Sequence, residues 1–83
     1  MEYHYKTNGT CSTDIYLNVE DGIIRDVRYE GGCNGNLQGI AQLVRGMAVS
    51  EVLARLEHIR CGMRRTSCPD QLCKALREMG YND

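Results

Sequence analysis

The sequence contains neither Trp nor Phe, has a single Pro, and lacks any apolar run near the roughly 20 residues that a membrane-spanning helix needs. The formal net charge is only −1, so no overall field draws the chain to nucleic acid or to an anionic membrane. The opening segment MEYHYKTNG has no basic stretch followed by an apolar one, and we therefore expect a cytoplasmic protein. A chain of 83 residues predicts one domain, residues 1–83, with a thin aliphatic core.

Cysteine, by contrast, is abundant. Five cysteines occur in 83 residues, at positions 11, 33, 61, 68 and 73. An odd number without an export signal does not fit a complete disulfide framework. Metal binding, redox chemistry and simple burial are the roles that remain.

The first half of the chain has the apolar pattern of β-strands. Residues 14–19 alternate, residues 23–29 continue an apolar face, and Asp21-Gly22 between them is a dipeptide that favours a tight hairpin turn. The segment EYHYK near the start predicts a third strand. We expect a three-stranded antiparallel sheet.

The second half has helical spacing of its apolar residues. One helix is predicted to begin near Asn34 or Asn36, a second near Ser50 as its N-cap, and a third to run from Pro69 to Met79. Strands followed by helices indicate an α+β fold, in which about three helices pack on one face of the sheet.

Three of the cysteines directly precede predicted elements: Cys11 the hairpin, and Cys33 and Cys68 a helix each. Pro69 at the first helical position and a cap at Ser67 or Cys68 predict that unpaired backbone N–H groups point toward the Cys68 sulfur. A helix N-terminus stabilises a nearby anion by about 0.3–1 kcal/mol. Cys68 is thus placed where a thiolate, the form that ligates metals and attacks electrophiles, is favoured.

The other two cysteines have weaker signals. Cys73 falls on the apolar stripe of the last helix, where we expect it to pack in the core. Cys61 precedes Cys68 by seven positions, which is not the spacing of a common zinc knuckle, so packing and ligation both remain open for it.

The residues TSCPD at positions 66–70, with GGCNGN at 31–36 and CGMRRTSCPDQL at 61–72, resemble the pattern of the TSCPD domain family over nearly the whole chain. That family includes small stand-alone bacterial proteins and the C-terminal tail of some ribonucleotide reductases. The resemblance implies a single TSCPD-like domain and a link to ribonucleotide reduction.

A more distant resemblance is to the U-type iron–sulfur cluster scaffold, in which similar features follow one another in the same order: a DG hairpin, a glycine-flanked cysteine opening a helix, and a late cysteine opening the last helix. It implies an iron–sulfur-scaffold-like fold in which Cys11, Cys33 and Cys68 match the three cluster cysteines. Cys61 would complete a tetrathiolate set suited to zinc or an iron–sulfur cluster.

Three functions follow as hypotheses. The first is a small zinc or iron–sulfur binding module that is not catalytic on its own. The second is an accessory or tail-like domain of ribonucleotide reductase, in which Cys61 and Cys68 carry thiol redox equivalents. The third is a protein-interaction domain with structural cysteines.

The expected partner is a protein, such as a ribonucleotide reductase, an iron–sulfur protein or a second copy of the chain, and neither a membrane nor nucleic acid is expected. The best candidate for docking an acidic partner, or an RNA or DNA backbone, is a basic cluster in the last third of the chain, formed by Arg60, Arg64, Arg65, Lys74 and Arg77.

Overall fold

The computed structural model describes residues 2–32 and 34–81. Three strands come first: β1 spans Glu2–Lys6, β2 spans Ser12–Glu20 and β3 spans Ile23–Gly31. Three helices follow: α1 spans Asn34–Val44, α2 spans Val49–Leu56 and α3 spans Cys68–Glu78. The predicted α+β architecture is confirmed, and among the described residues no helix has both the length and the apolar character needed to cross a bilayer.

The sheet is antiparallel with the order β1-β2-β3. A two-residue turn joins the central hairpin, because Glu20 pairs with Ile23 and the intervening Asp21 and Gly22 have φ values of 54° and 73°. Both positive values are those of the mirror-image turns that match strand twist, so the Asp-Gly prediction is confirmed.

One face of the sheet is buried by the helices. Helix α1 packs on β3, α3 packs on β2, and α2 packs on α3. The core combines alternate residues of β2, Ile24 and Val27 of β3, and the inward faces of the helices. Its fully buried side chains include Ile15, Val19, Ile24, Val52, Leu72 and Leu76. On the opposite face Tyr16 lies between His4, which stacks on its ring, and Arg28, whose guanidinium lies 4.3 Å from the ring centre.

Helix α2 does not begin where the sequence predicts. Its N-cap is Ala48, with no side-chain cap hydrogen bond, and Ser50 lies inside the first turn. Ala48 forms a β-bridge with Ile23, and the Val49 N–H donates to the Gly22 carbonyl at 2.8 Å. This long-range pairing holds the chain extended up to Ala48, so it decides the helix start in place of the local serine signal.

The same pairing covers part of the outer edge of β3. The Ile24 N–H donates to the Met47 carbonyl at 2.9 Å, and the Gly46 N–H donates to the Ile24 carbonyl at 2.7 Å. One residue along, Nε of Arg45 donates to the Arg25 carbonyl at 3.2 Å. The segment between α1 and α2 is therefore fixed to the sheet.

Candidate functional site

Cys68 is the first residue of α3, and Ser67 is the N-cap. The Ser67 hydroxyl accepts a hydrogen bond from the Asp70 N–H at 3.1 Å and donates to the Ile59 carbonyl at 2.6 Å. Pro69 occupies the first turn, where its missing N–H costs nothing. Of the two caps that the sequence left open, the structure selects Ser67.

The start of α3 is also tied to the sheet through Cys68. The Cys68 sulfur lies 3.2 Å from the hydroxyl of Ser12, which is itself buried, and the Tyr29 hydroxyl donates to the Cys68 carbonyl at 2.9 Å. Burial raises the pKa of Tyr29, so the phenol stays a donor throughout the physiological range. Residues from β2 and β3 thus fix the position of the cysteine.

A buried polar network surrounds the signature residues. Asp70 is 3% exposed, and its two carboxylate oxygens accept from the His58 N–H at 2.7 Å and from the Thr66 hydroxyl at 2.5 Å. The Thr66 hydroxyl in turn accepts from the side-chain NH₂ of Gln71 at 3.0 Å, and the side-chain carbonyl of Gln71 accepts from the backbone N–H of Asn8 at 3.0 Å. Thr66, Ser67 and Asp70 therefore hold the segment from residue 57 to 67, which we call the 57–67 loop, against α3.

The loop and α1 enclose an open groove with a volume of about 560 Å³. Its lining includes Cys11, Cys61 and Cys68, and we call it the cysteine groove. Cys11 and Cys61 are exposed, Cys68 is partly exposed, and all three are free thiols. Three of the four cysteines predicted as ligands therefore line one cavity, although they come from a loop before β2, the 57–67 loop and the start of α3.

Gly32 forms a close contact beside Cys11. A Cβ built on Gly32, whose φ is +73°, would lie 3.1 Å from the Cys11 sulfur, 3.0 Å from the Ser12 nitrogen and 3.1 Å from Cδ1 of Leu37. The glycine thus lets the end of β3 pass directly against Cys11. Cys33, the fourth predicted ligand, lies outside the described residues.

Within residues 2–32 and 34–81, no three or more His, Cys, Asp or Glu side chains lie close enough together to hold one metal ion. The donor chemistry of the groove is nevertheless specific, because thiolates are soft ligands that suit zinc and iron–sulfur clusters and not Mg²⁺ or Ca²⁺. Cys11, Cys61 and Cys68 share a cavity without forming a compact ligand set by themselves.

Cys73 has a different environment. It is fully buried on α3, its thiol donates to the Val52 carbonyl at 3.7 Å, and burial raises its pKa to about 12. A thiol of this kind is inert at neutral pH. The prediction that Cys73 packs in the core is confirmed.

The comparison with protein-family models finds the TSCPD domain over residues 2–80. The chain belongs to the TSCPD domain family. Curated proteins and solved structures give no match to this TSCPD domain. The likeness to the U-type iron–sulfur scaffold stays a prediction.

The polar network was not predicted from the sequence, although part of it carries a signal. A serine followed three residues later by an acidic residue, as in Ser67 and Asp70, resembles a capping box. The serine half of the box forms here, whereas the Asp70 carboxylate accepts from His58 and Thr66. The partnership of Ser12 with Cys68 spans 56 positions and leaves no local pattern. It depends on the docking of α3 against the hairpin.

Proposed function

We propose that this TSCPD domain is a cysteine-based module that binds zinc or an iron–sulfur cluster and is not catalytic on its own. The proposed ligands are Cys11, Cys33, Cys61 and Cys68. The supporting observation is that free thiols from three distant segments line one groove. When bound, the metal would supply cross-linking of these segments, and its binding free energy would add to the small folding free energy of the domain.

The chain's own residues prepare this groove in two ways. The hydroxyl of Ser12 lies within hydrogen-bond distance of the Cys68 sulfur, so it can donate to a thiolate there. The 57–67 loop presents Cys61, whose N–H donates to the Thr66 carbonyl at 3.1 Å. Thr66 is part of the buried network, so the backbone at Cys61 is connected to α3 and not left to move freely.

The test is metal analysis of protein purified without oxygen, on the wild type and on single serine variants of the four proposed ligands. We expect stoichiometric zinc or iron in the wild type, its loss in the variants, and a lower thermal midpoint in chelator. Cys73→Ala is the matched control, because it removes a cysteine that lies outside the groove. Absence of stoichiometric metal together with an unchanged midpoint in chelator would refute the proposal.

A second candidate follows from the same thiols. Cys61 and Cys68 line one groove and neither is in a disulfide. As a tail-like domain of a ribonucleotide reductase, the pair would reduce a partner's disulfide by thiol–disulfide exchange: Cys61 and Cys68 become a disulfide, and the partner's two sulfurs become thiols. A reversible Cys61–Cys68 disulfide found by mass spectrometry, and activity restored to a tailless reductase, would support it; a metal bound to both sulfurs would exclude it in that state.

A further inference from the structure

The cysteine groove has an apolar floor that the thiol chemistry does not require. Leu43 is 77% exposed and Ile59 is 41% exposed, and both line the groove together with Leu37 and Ile40. Isolated exposed apolar residues are ordinary, but several that share one concave surface indicate a binding site.

Helix α1 is also unusually accessible along this groove. Gly35 and Gly39 line it, and a Cβ added at either position would meet nothing within 4 Å. The helix from Asn34 to Val44 carries no charged residue. From Gly35 to Leu43 the helix extends about 12 Å, enough for two turns of a bound helix or about four extended residues. A partner's backbone can therefore approach α1 closely over this length.

The 57–67 loop, which forms one side of the groove, carries basic side chains without counter-charges among the described residues. Four of the five arginines outside the 57–67 loop each form an ion pair with a carboxylate: Arg28 with Glu30, Arg45 with Asp26, Arg55 with Glu51, and Arg77 with Glu57. In the 57–67 loop, Arg60, Arg64 and Arg65 are exposed, and in the described part of the chain none of them has a carboxylate partner. Arg60 lines the groove itself.

We propose that the cysteine groove is a docking site for a short segment of a partner protein that combines aliphatic and acidic side chains. Aliphatic side chains would cover Leu43, Ile40 and Ile59, and carboxylates would meet the three arginines of the loop. A nucleic acid backbone would satisfy the arginines but would gain nothing from the apolar floor. The combination of the two surfaces therefore favours an acidic, aliphatic peptide.

This proposal does not depend on a bound metal. Leu43, Ile40 and the arginines are not among the proposed ligands, so peptide binding and metal content can be lost separately. Metal content measured on each docking variant distinguishes the two proposals: a docking variant should retain the metal content of the wild type, whatever that content is.

The test is selection of a displayed random library of peptides of about twelve residues, long enough to fill the groove, against the immobilised full chain under reducing conditions. We expect the selected peptides to be enriched, relative to the input, in both Asp or Glu and Leu, Ile or Val. Enrichment of basic peptides, or no enrichment, would overturn the proposal.

Variants then locate the bound peptide. A fluorescein-labelled copy of the most enriched peptide should bind Leu43→Ser at least about tenfold more weakly than wild type, since an anchor of this size is typically worth that much. Met63→Ser is the matched control, because Met63 is a fully exposed apolar residue of the 57–67 loop that does not line the groove. Both positions are exposed, so folding, checked by circular dichroism, should be unaffected.

Charge is tested in the same assay. Replacing Arg60, Arg64 and Arg65 together by Gln should also weaken binding about tenfold or more and reduce its salt dependence. Arg55→Gln, which removes an arginine already paired with Glu51, should leave binding unchanged. Equal binding by Leu43→Ser and wild type, or tighter binding of a labelled oligothymidylate than of the peptide, would overturn the proposal, as would self-association of the wild type that Leu43→Ser abolishes.

Discussion

Gly32 allows a sharp test of the packing beside Cys11, because Gly22 provides a control with the same backbone angle. Both glycines have a φ of +73°, so an alanine at either position meets the same left-handed strain. Only at Gly32 would the new methyl group contact other atoms; at Gly22 nothing lies within 4 Å. The difference between Gly32→Ala and Gly22→Ala therefore isolates the close approach of β3 to Cys11.

The expected magnitudes follow from these contacts. Left-handed strain costs an alanine about 1–2 kcal/mol, and this is the whole expected loss for Gly22→Ala. At Gly32 the methyl group would also lie 3.0 Å from the Ser12 nitrogen, where carbon contacts are comfortable only near 3.5–4.0 Å. Ser12 pairs with Gly31 in the sheet and cannot retreat easily, so overpacking should add about 1–3 kcal/mol.

The assay is urea denaturation of both variants and the wild type, followed by far-ultraviolet circular dichroism. A domain of this length has about 4–12 kcal/mol of total stability, so a loss of about 2–5 kcal/mol for Gly32→Ala is readily measured. If the two alanine variants lose the same free energy of unfolding, the contact among Gly32, Cys11 and Ser12 is wrong. The placement of Cys11 in the groove would then lose its support.

Further predictions concern the buried polar and thiol groups. Asp70→Ala should lose about 3–6 kcal/mol of unfolding free energy in urea denaturation, because two hydrogen bonds to a buried carboxylate are worth about 1.5–3 kcal/mol each. Asp26→Ala, which removes a carboxylate from an exposed ion pair, should lose less than about 1 kcal/mol. The Arg77 guanidinium holds the pKa of Glu57 below its usual value of 4.5. The stability advantage of wild type over Glu57→Gln should therefore be complete above pH 4.5 and should disappear as the pH falls through the lowered pKa, which thermal midpoints measured across the acidic range will test. Buried Cys73 should resist alkylation in the native protein while exposed Cys61 reacts, because the rise in the pKa of the Cys73 thiol from 9.0 to about 12 reduces its thiolate fraction about a thousandfold at neutral pH. Peptide mass spectrometry after timed labelling measures both rates.

Each of these has a definite contrary result. Equal losses for Asp70→Ala and Asp26→Ala would mean that the carboxylate network does not hold the 57–67 loop. A pH-independent difference between wild type and Glu57→Gln would mean that the ion pair does not stabilise the fold. Alkylation of Cys73 as fast as that of Cys61 would mean that the end of the core around α3 opens readily.

Local signals were enough to predict the hairpin. The Asp21-Gly22 turn and the alternation of residues 14–19 lie within a few residues of one another, and the structure confirms the paired strands and the two-residue turn. The register shift between Asn18 and Val19, which accompanies the burial of Ile24 and Val27 three positions apart, was not predicted. Helix α3 was predicted almost as well, because Ser67, Pro69 and Gly80 mark its two ends. The sequence signals that determine such elements lie in adjacent residues.

Long-range contacts decided the features that the sequence did not reveal. The start of α2 follows from the bridge between Ala48 and Ile23, which no local preference encodes. The partners of Gln71 and Cys68 lie 63 and 56 positions away, at Asn8 and Ser12. The sequence identified Cys11, Cys61 and Cys68 as candidate ligands; their common groove depends on how α1 and α3 pack on the sheet.

The hydrogen bonds along the outer edge of β3 limit how this domain can meet its neighbours. Around Ile24 and Arg25 the donors and acceptors that a foreign strand would need are already used by Gly46, Met47 and the guanidinium of Arg45. Unpaired strand edges are common starting points for aggregation. At high protein concentration, this stretch of β3 therefore offers no unpaired edge to which a second molecule could add a strand.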